Sequence, residues 1–271
     1  MDNIVFTQFI SLIKNTLRRE ARSRTLLFMG VITILVIVLT NLSFNFMEEF
    51  TKSYMDIGDK KLLFLARIIN FWAGFMGFYF GLSSLKSDEE NGVQPILLSF
   101  PISRTLYIFS RLFGAILIVF SYYLGSLIIA TMLFALSKTG VNINPGLFLS
   151  LFGTLLVITG AAITGLFISL FFGRAVSLVL GFLFLPMISL SNTVLGGLSY
   201  KEIFSGVTFL KAIGIFIHTF FPRLGVWSVV TTDLIQESKL NVQLAPEVAH
   251  FLGIAILMLW SSIFIFRKRG V

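Results

Sequence analysis

Apolar residues in this chain neither alternate nor keep to one narrow helical stripe. They run on in long blocks separated by short polar stretches. A hydrocarbon core of about 30 Å takes roughly 20 apolar residues in a helix. Six blocks reach that length: residues 26–47, 62–85, 111–137, 147–172, 175–196 and 248–266. In lipid every backbone polar group has to be satisfied internally, and these blocks lack the two-residue period of barrel strands. The pattern therefore predicts an all-α, polytopic membrane helical bundle with six transmembrane helices in a single transmembrane domain, residues 1–271.

Three stretches break the pattern. In residues 2–24, Phe6, Phe9, Ile10, Ile13 and Leu17 recur at three- and four-residue steps opposite Thr7, Ser11, Lys14, Asn15, Arg18 and Arg22. That amphipathicity predicts an N-terminal interfacial helix, its basic face toward anionic lipid headgroups. It serves either as an anchoring elbow or as a contact for a cytoplasmic partner. Residues 197–247 form the longest connection, with a semi-apolar piece at 207–221 broken by Lys211 and His218 and ended by Pro222. Two short helices dipping into the outer leaflet or lying on it account for it. A seventh span would carry Arg267, Lys268 and Arg269 outside, against the charge rule. Residues 86–104 are too short and too charged to span, yet they hold apolar residues.

Composition narrows the class. The chain is 56% hydrophobic and 13% charged, whereas a soluble domain carries about 25% charged residues. It has no cysteine, which excludes disulfide frameworks, iron–sulfur clusters and thiol catalysis. The net charge of +8 reports orientation rather than nucleic-acid binding. With both termini on one side, that side holds Lys14, Arg18, Arg19, Arg22, Arg24, Lys86, Arg104, Arg111, Arg174, Arg267, Lys268 and Arg269. The other holds Lys52, Lys60, Lys61, Lys138, Lys201, Lys211, Arg223 and Lys239 over longer loops. This bias predicts a multi-pass protein of the cell inner (plasma) membrane with cytoplasmic N- and C-termini.

Most enzymatic chemistry fails for want of residues. There is no phosphate-binding loop and no H-E-x-x-H metal motif. His218 and His250 are far apart in the sequence and read as membrane-interface residues. Gly81-Leu82-Ser83-Ser84 and Gly197-Leu198-Ser199-Tyr200 lack the closing glycine of a nucleophile elbow. Every acidic residue lies outside the six blocks, so no intramembrane ion relay is expected. The reading is a non-enzyme with no catalytic residue and no metal site.

The segment at 86–104 carries more information. Asp88, Glu89 and Glu90 precede a short helix opened by Pro95 and carrying Ile96, Leu97, Leu98 and Phe100. Pro101 stops that helix, and Ser103 is placed to cap the next one, whose first turn holds Arg104. A single turn is not stable alone, so it folds back onto the membrane surface or is held by a partner. In the second block, Arg67, Asn70, Gly74, Gly77 and Gly81 share one helix face. Such a face packs tightly against a neighbour, or lines a polar route or subunit seam. The fifth block carries Pro186 and the polar run from Ser189 to Thr193, including Asn192, which suits a gate or a static kink.

Asp88-Glu89-Glu90-Asn91-Gly92 followed by Ile96-Leu97-Leu98-Ser99-Phe100-Pro101-Ile102-Ser103-Arg104 resembles the acidic-Gly-Thr…Leu-Leu…Pro-x-Ser-Arg signature of type-2 ABC exporter permeases. The interfacial helix, six spans, long outer segment and basic C-terminus agree with that family in outline. Phe221-Pro222-Arg223 is loosely similar to its Asn-Pro stretch before the last span. Size and layout are nearest to the permeases of nitrous-oxide-reductase maturation transporters. Val93 stands where Thr is usual, Pro95 falls inside the signature, and Phe221 replaces Asn.

The resemblance implies that residues 86–104 form a cytoplasmic coupling helix docking into a separate ABC ATPase subunit. Two copies of that subunit hold ATP and Mg, and this chain carries no cofactor. Ile96, Leu97, Leu98 and Phe100 would supply the buried contact, and Asp88, Glu89, Glu90 and Arg104 its rim. Gly92, Pro101 and Ser103 would shape the element. A permease homodimer would place the Arg67–Gly81 face, Pro186 and Asn192 along the pathway or the dimer seam. A force-transmitting scaffold acting on an extracytoplasmic partner without moving a solute is the alternative. A membrane enzyme or secondary carrier is a third reading.

Overall fold

The computed structural model describes residues 2–51, 57–135, 145–195, 200–236, 240 and 242–268. The chain is helical throughout, with no strand among the described residues. Its elements are α1 (Asp2–Ala21), α2 (Arg24–Thr51), α3 (Ile57–Glu90), α4 (Val93–Ser99), α5 (Arg104–Ala135), α6 (Pro145–Ser169), α7 (Arg174–Leu195), α8 (Tyr200–Phe204), α9 (Phe209–Phe220), α10 (Leu224–Ile235) and α11 (Leu244–Lys268). Six of them, α2, α3, α5, α6, α7 and α11, are long and apolar enough to cross a membrane. Each covers one of the six apolar blocks.

Local chemistry sets the helix boundaries. Ser23 Oγ accepts Leu26 N–H at 3.2 Å and opens α2, and Ser103 Oγ accepts Leu106 N–H at 3.2 Å and opens α5. Thr208 caps α9 by accepting Lys211 N–H at 3.4 Å. Pro145 starts α6, where a missing N–H costs nothing. Two boundaries differ from the hydropathy reading. Lys86 through Glu90 continue α3 rather than opening a loop, and α5 begins at Arg104, seven residues before the apolar block. The polar residues join the helices because their side chains find partners.

α3 and α6 form the centre. Gly77 places its α-carbon so close to α6 that an added Cβ would lie 2.8 Å from Ile158 O. Gly81 abuts the backbone of Ala162, and Gly165 of α6 abuts that of Phe78 in return. Small residues on both helices thus let the two backbones touch. Around this pair, Ile37, Leu65, Met76, Val119 and Tyr123 build one apolar cluster and Phe75, Phe78, Leu185 and Ile188 another.

The bundle has two distinct ends. At one, Arg19 reaches Asp88, Arg174 reaches Glu90 at 3.3 Å, and Arg104 donates to Arg267 O at 2.8 Å. This α4 end therefore gathers the close of α1, α3 and α11 and the start of α5 and α7. At the other end Ala66, Leu147 and Ile235 pack together with Leu63 and Leu127. Here Gly214, midway along α9, lies beside Leu195, the last residue of α7. α9 runs inward until Ile217 joins Phe78, Leu82 and Leu185. The chain then bends by 70°, and α10 returns to Ile235. Because α7 leaves the α4 end and α11 comes back to it, α9 and α10 form a bent hairpin that enters and leaves at the same end of the bundle.

Candidate functional site

At the α4 end one short helix stands out from the bundle. Gly92 turns the chain from α3 into α4 with φ 66°, a left-handed conformation that glycine adopts without a Cβ clash. Its N–H closes onto Glu89 O at 3.2 Å. Pro95 lies in the first turn of α4, and Phe100 is extended before Pro101, which ends the helix. Gln94 is buried. Leu97 and Leu98 pack inward with Ile102 against Leu85, Tyr107, Leu112 and Phe266. Val93, Ile96 and Phe100 face out and are 36%, 62% and 57% exposed.

This corrects the expectation that Ile96, Leu97, Leu98 and Phe100 share one contact surface. The two leucines anchor the helix to its own bundle, and the outward ridge is Val93, Ile96 and Phe100. Over seven residues a helix turns both faces outward once, so adjacent apolar positions divide between core and surface. Ser103 caps α5 as expected. Arg104 donates to the carbonyls of Phe266 and Arg267 at 3.4 and 2.8 Å, tying α5 to the close of α11.

Behind α4 lies a buried polar brace. Asp88 is 2% exposed and Arg111 is 1% exposed. Arg111 Nη2 pairs with Asp88 Oδ2 at 2.7 Å, and Tyr107 O–H donates to the same oxygen at 2.6 Å. Arg19 of α1 pairs with Asp88 Oδ1 and with Glu20 Oε1. Arg111 Nη1 also donates to Thr16 Oγ1 at 2.7 Å. One carboxylate thus joins α1, α3 and α5. Asp88 therefore belongs to the interior, not to an exposed rim, and the outward carboxylates are Glu89 and Glu90. Glu89 pairs with Lys86 at 2.7 Å, and Glu90 with Arg174. Arg111 entered the sequence reading only as an orientation marker. Its available signal was Tyr107 four residues earlier on the same helix face.

The glycine face of α3 is occupied. Gly74 faces Val157, Gly77 and Gly81 press on the α6 backbone, and Asn70 Nδ2 donates to Ser228 Oγ of α10 at 3.4 Å. Arg67 Nε donates to Thr232 Oγ1, also on α10, at 3.5 Å. The face assigned to a pathway or dimer seam is filled by α6 and α10 of the same chain. α10, which the sequence left as part of a connection, supplies the polar partners. Pro186 sits inside an unbroken α7, and the Ser189–Asn192 stretch beyond it packs against Gly225 at the start of α10. What remains between α3, α6, α7 and α10 is a cleft of ≈ 50 Å³ lined by Asn70, Phe75, Leu185, Ser189 and Ser228. Asn70 Oδ1 is unpartnered there.

The helices outrun the apolar blocks and take in carboxylates at their ends. Asp88, Glu89 and Glu90 close α3, and Glu247 sits in the first turn of α11. Of the 197–247 connection, residues 196–199, 237–239 and 241 lie outside the described residues. Among the described residues, no group of three or more His, Asp or Glu side chains is arranged to hold a metal ion. The chain matches no protein-family model, and no curated sequence matches it at a significant level.

Proposed function

We propose that this chain is the transmembrane subunit of an ATP-driven ABC exporter of the inner membrane. In this reading it works as a homodimer and is powered by two copies of a separate ATPase subunit. The observation that carries the reading is α4. It is a short helix too small to be stable alone, anchored by Leu97 and Leu98, with the apolar ridge of Val93, Ile96 and Phe100 turned outward beside Glu89 and Glu90. A ridge of this kind outside the hydrocarbon region calls for an apolar partner surface, and its charged surround sets orientation and association rate.

The α4 end is then the cytoplasmic end, in keeping with its arginines and lysines. Force on α4 passes through its inward leucines to the cluster around Tyr107. The Asp88 brace carries it to α1, α3 and α5. The ≈ 50 Å³ cleft has room for a few waters only, so cargo would cross between two copies rather than within one. That small cleft also favours the second reading, a force-transmitting subunit that rearranges an extracytoplasmic partner through the hairpin.

The test is purification of the chain with its ATPase from native membranes, followed by reconstitution. Ile96→Asp combined with Phe100→Asp should leave insertion and folding unchanged. It should weaken ATPase association on the order of tenfold or more, since a buried interface anchor is worth about 2 kcal/mol or more. Undiminished co-purification and stimulated ATP hydrolysis in that variant would reject the docking role.

A further inference from the structure

At the tip of the α9–α10 hairpin, four ionisable side chains converge that the sequence scattered over thirty residues. Arg223, at the 70° bend, pairs with Glu247 Oε1 of α11 at 2.9 Å. Its Nε also donates to His218 O at 3.2 Å, which holds the close of α9 against the bend. His250, one turn along α11 from Glu247, donates Nε2–H to Thr219 O at 3.2 Å. Every one of these bonds fastens the hairpin tip to itself or to α11.

Three polar atoms in the cluster have no partner: His218 Nδ1, Glu247 Oε2 and His250 Nδ1. His218 is only 8% exposed. The neutral His250 ring has its proton on Nε2, which the carbonyl of Thr219 requires, so Nδ1 carries a bare lone pair. The cluster therefore holds one cation, one anion and two imidazoles with spare capacity for protons. Charged neighbours come only from the cluster itself. Arg223 and His250 act on His218, and Arg223 and Glu247 act on His250. α6 has no ionisable side chain, and the one charge on α7, Arg174, is engaged with Glu90 and Tyr79 at the far end of the bundle.

We propose that His218, Arg223, Glu247 and His250 form a proton-operated latch holding the tip of the α9–α10 hairpin against α11. With both rings neutral, Arg223 and Glu247 cancel and the latch is closed. A proton on His250 Nδ1 turns it into a donor three residues from Glu247 on the same helix, where it competes with Arg223 for that carboxylate. A proton on His218 sets a second cation beside Arg223. Two protons change the net charge of the cluster from zero to +2 with a single carboxylate to answer it. Inside a bundle, where charge is poorly screened, the bend then parts from α11.

The chain has no cysteine, so cysteines placed at Phe220 and Leu252, both exposed, carry spin labels at unique sites. The distance between labels in the full-length protein in lipid vesicles is followed from about pH 8 to about pH 3, low enough to protonate an imidazole whose charged form burial and Arg223 disfavour. The distance should lengthen as pH falls. Glu247→Gln should give the long distance already at about pH 8, because it removes the partner that holds Arg223 to α11. His218→Gln with His250→Gln should keep the short distance throughout, and each single substitution should give a smaller change than the unsubstituted pair of rings. A constant distance in the labelled protein overturns the proposal without recourse to any variant. So does a transition that persists in the double glutamine variant, because it would then not depend on the two imidazoles.

Discussion

Single positions in this molecule divide sharply by what surrounds them. Gly81 of α3 has the Ala162 backbone where a Cβ would go, while nothing lies within 4 Å of that place at Gly125 of α5. Gly81→Ala therefore forces two helices apart and should cost about 1–3 kcal/mol, the usual range for overpacking. Gly125→Ala should be neutral or slightly stabilising, since alanine favours helix. Thermal unfolding of the two purified variants separates them, and equal midpoints would contradict the packing described for α3 and α6. Asp88 is the sharper case. Replacing it with leucine strands Arg111 at 1% exposure, and leaving a buried charge unpaired costs about 3–5 kcal/mol. Adding Arg111→Leu should restore much of that loss, as a well-packed apolar pair often equals a buried ion pair. An Asp88→Leu protein as stable as the parent would show the brace to be dispensable. The sequence displayed Asp88 as one of three acids ending a span. Which acid turns inward depends on helix phase, and the decisive partner, Arg111, lies in another helix.

Among the elements, the long helices were legible because each carries an uninterrupted apolar block, and lipid leaves the backbone no other solution. Their ends were less so. Hydropathy stops where charge begins, yet Lys86–Glu90 stay helical through a local ion pair and a buried carboxylate, and Arg104 starts α5 under the Ser103 cap. α4 was legible as a helix but not in its facing, since seven residues hold too few positions for a periodicity to declare itself. Its geometry depends on the left-handed turn at Gly92. Gly92→Ala places a Cβ in that conformation at a cost of roughly 1–2 kcal/mol. Amide hydrogen exchange of residues 93–99 should accelerate in this variant while the cores of α3 and α6 keep their protection. Unchanged exchange in α4 would mean that Leu97 and Leu98 alone hold it.

At the scale of the whole molecule, the α9–α10 hairpin was half visible: the sequence offered two short helices within residues 197–247, dipping in or lying on the surface, but did not settle their depth. Depth comes from Gly160 of α6, where an added Cβ would touch Leu224, Phe251 and Pro222 at once. A glycine in an apolar block thus makes room for the hairpin tip, a relation between residues sixty apart that no local pattern contains. The consequence is an even number of crossings. Both α4 and the close of α11 lie at one end, joined through Arg104 to Arg267, while the α8–α9 turn belongs to the other. In the proposed reading the α4 end, with its excess of arginine and lysine, is the cytoplasmic one. In the cysteine-free background, Ile96→Cys should react with a membrane-impermeant thiol reagent only when the cytoplasmic face is opened. Ser205→Cys, exposed between α8 and α9, should react in sealed, right-side-out vesicles. α5, α6 and α7 make three crossings between them, so labelling of both positions from one side would require an even number instead. One of α5, α6 and α7 would then fail to cross, and the cytoplasmic assignment of α4 would have to be made afresh.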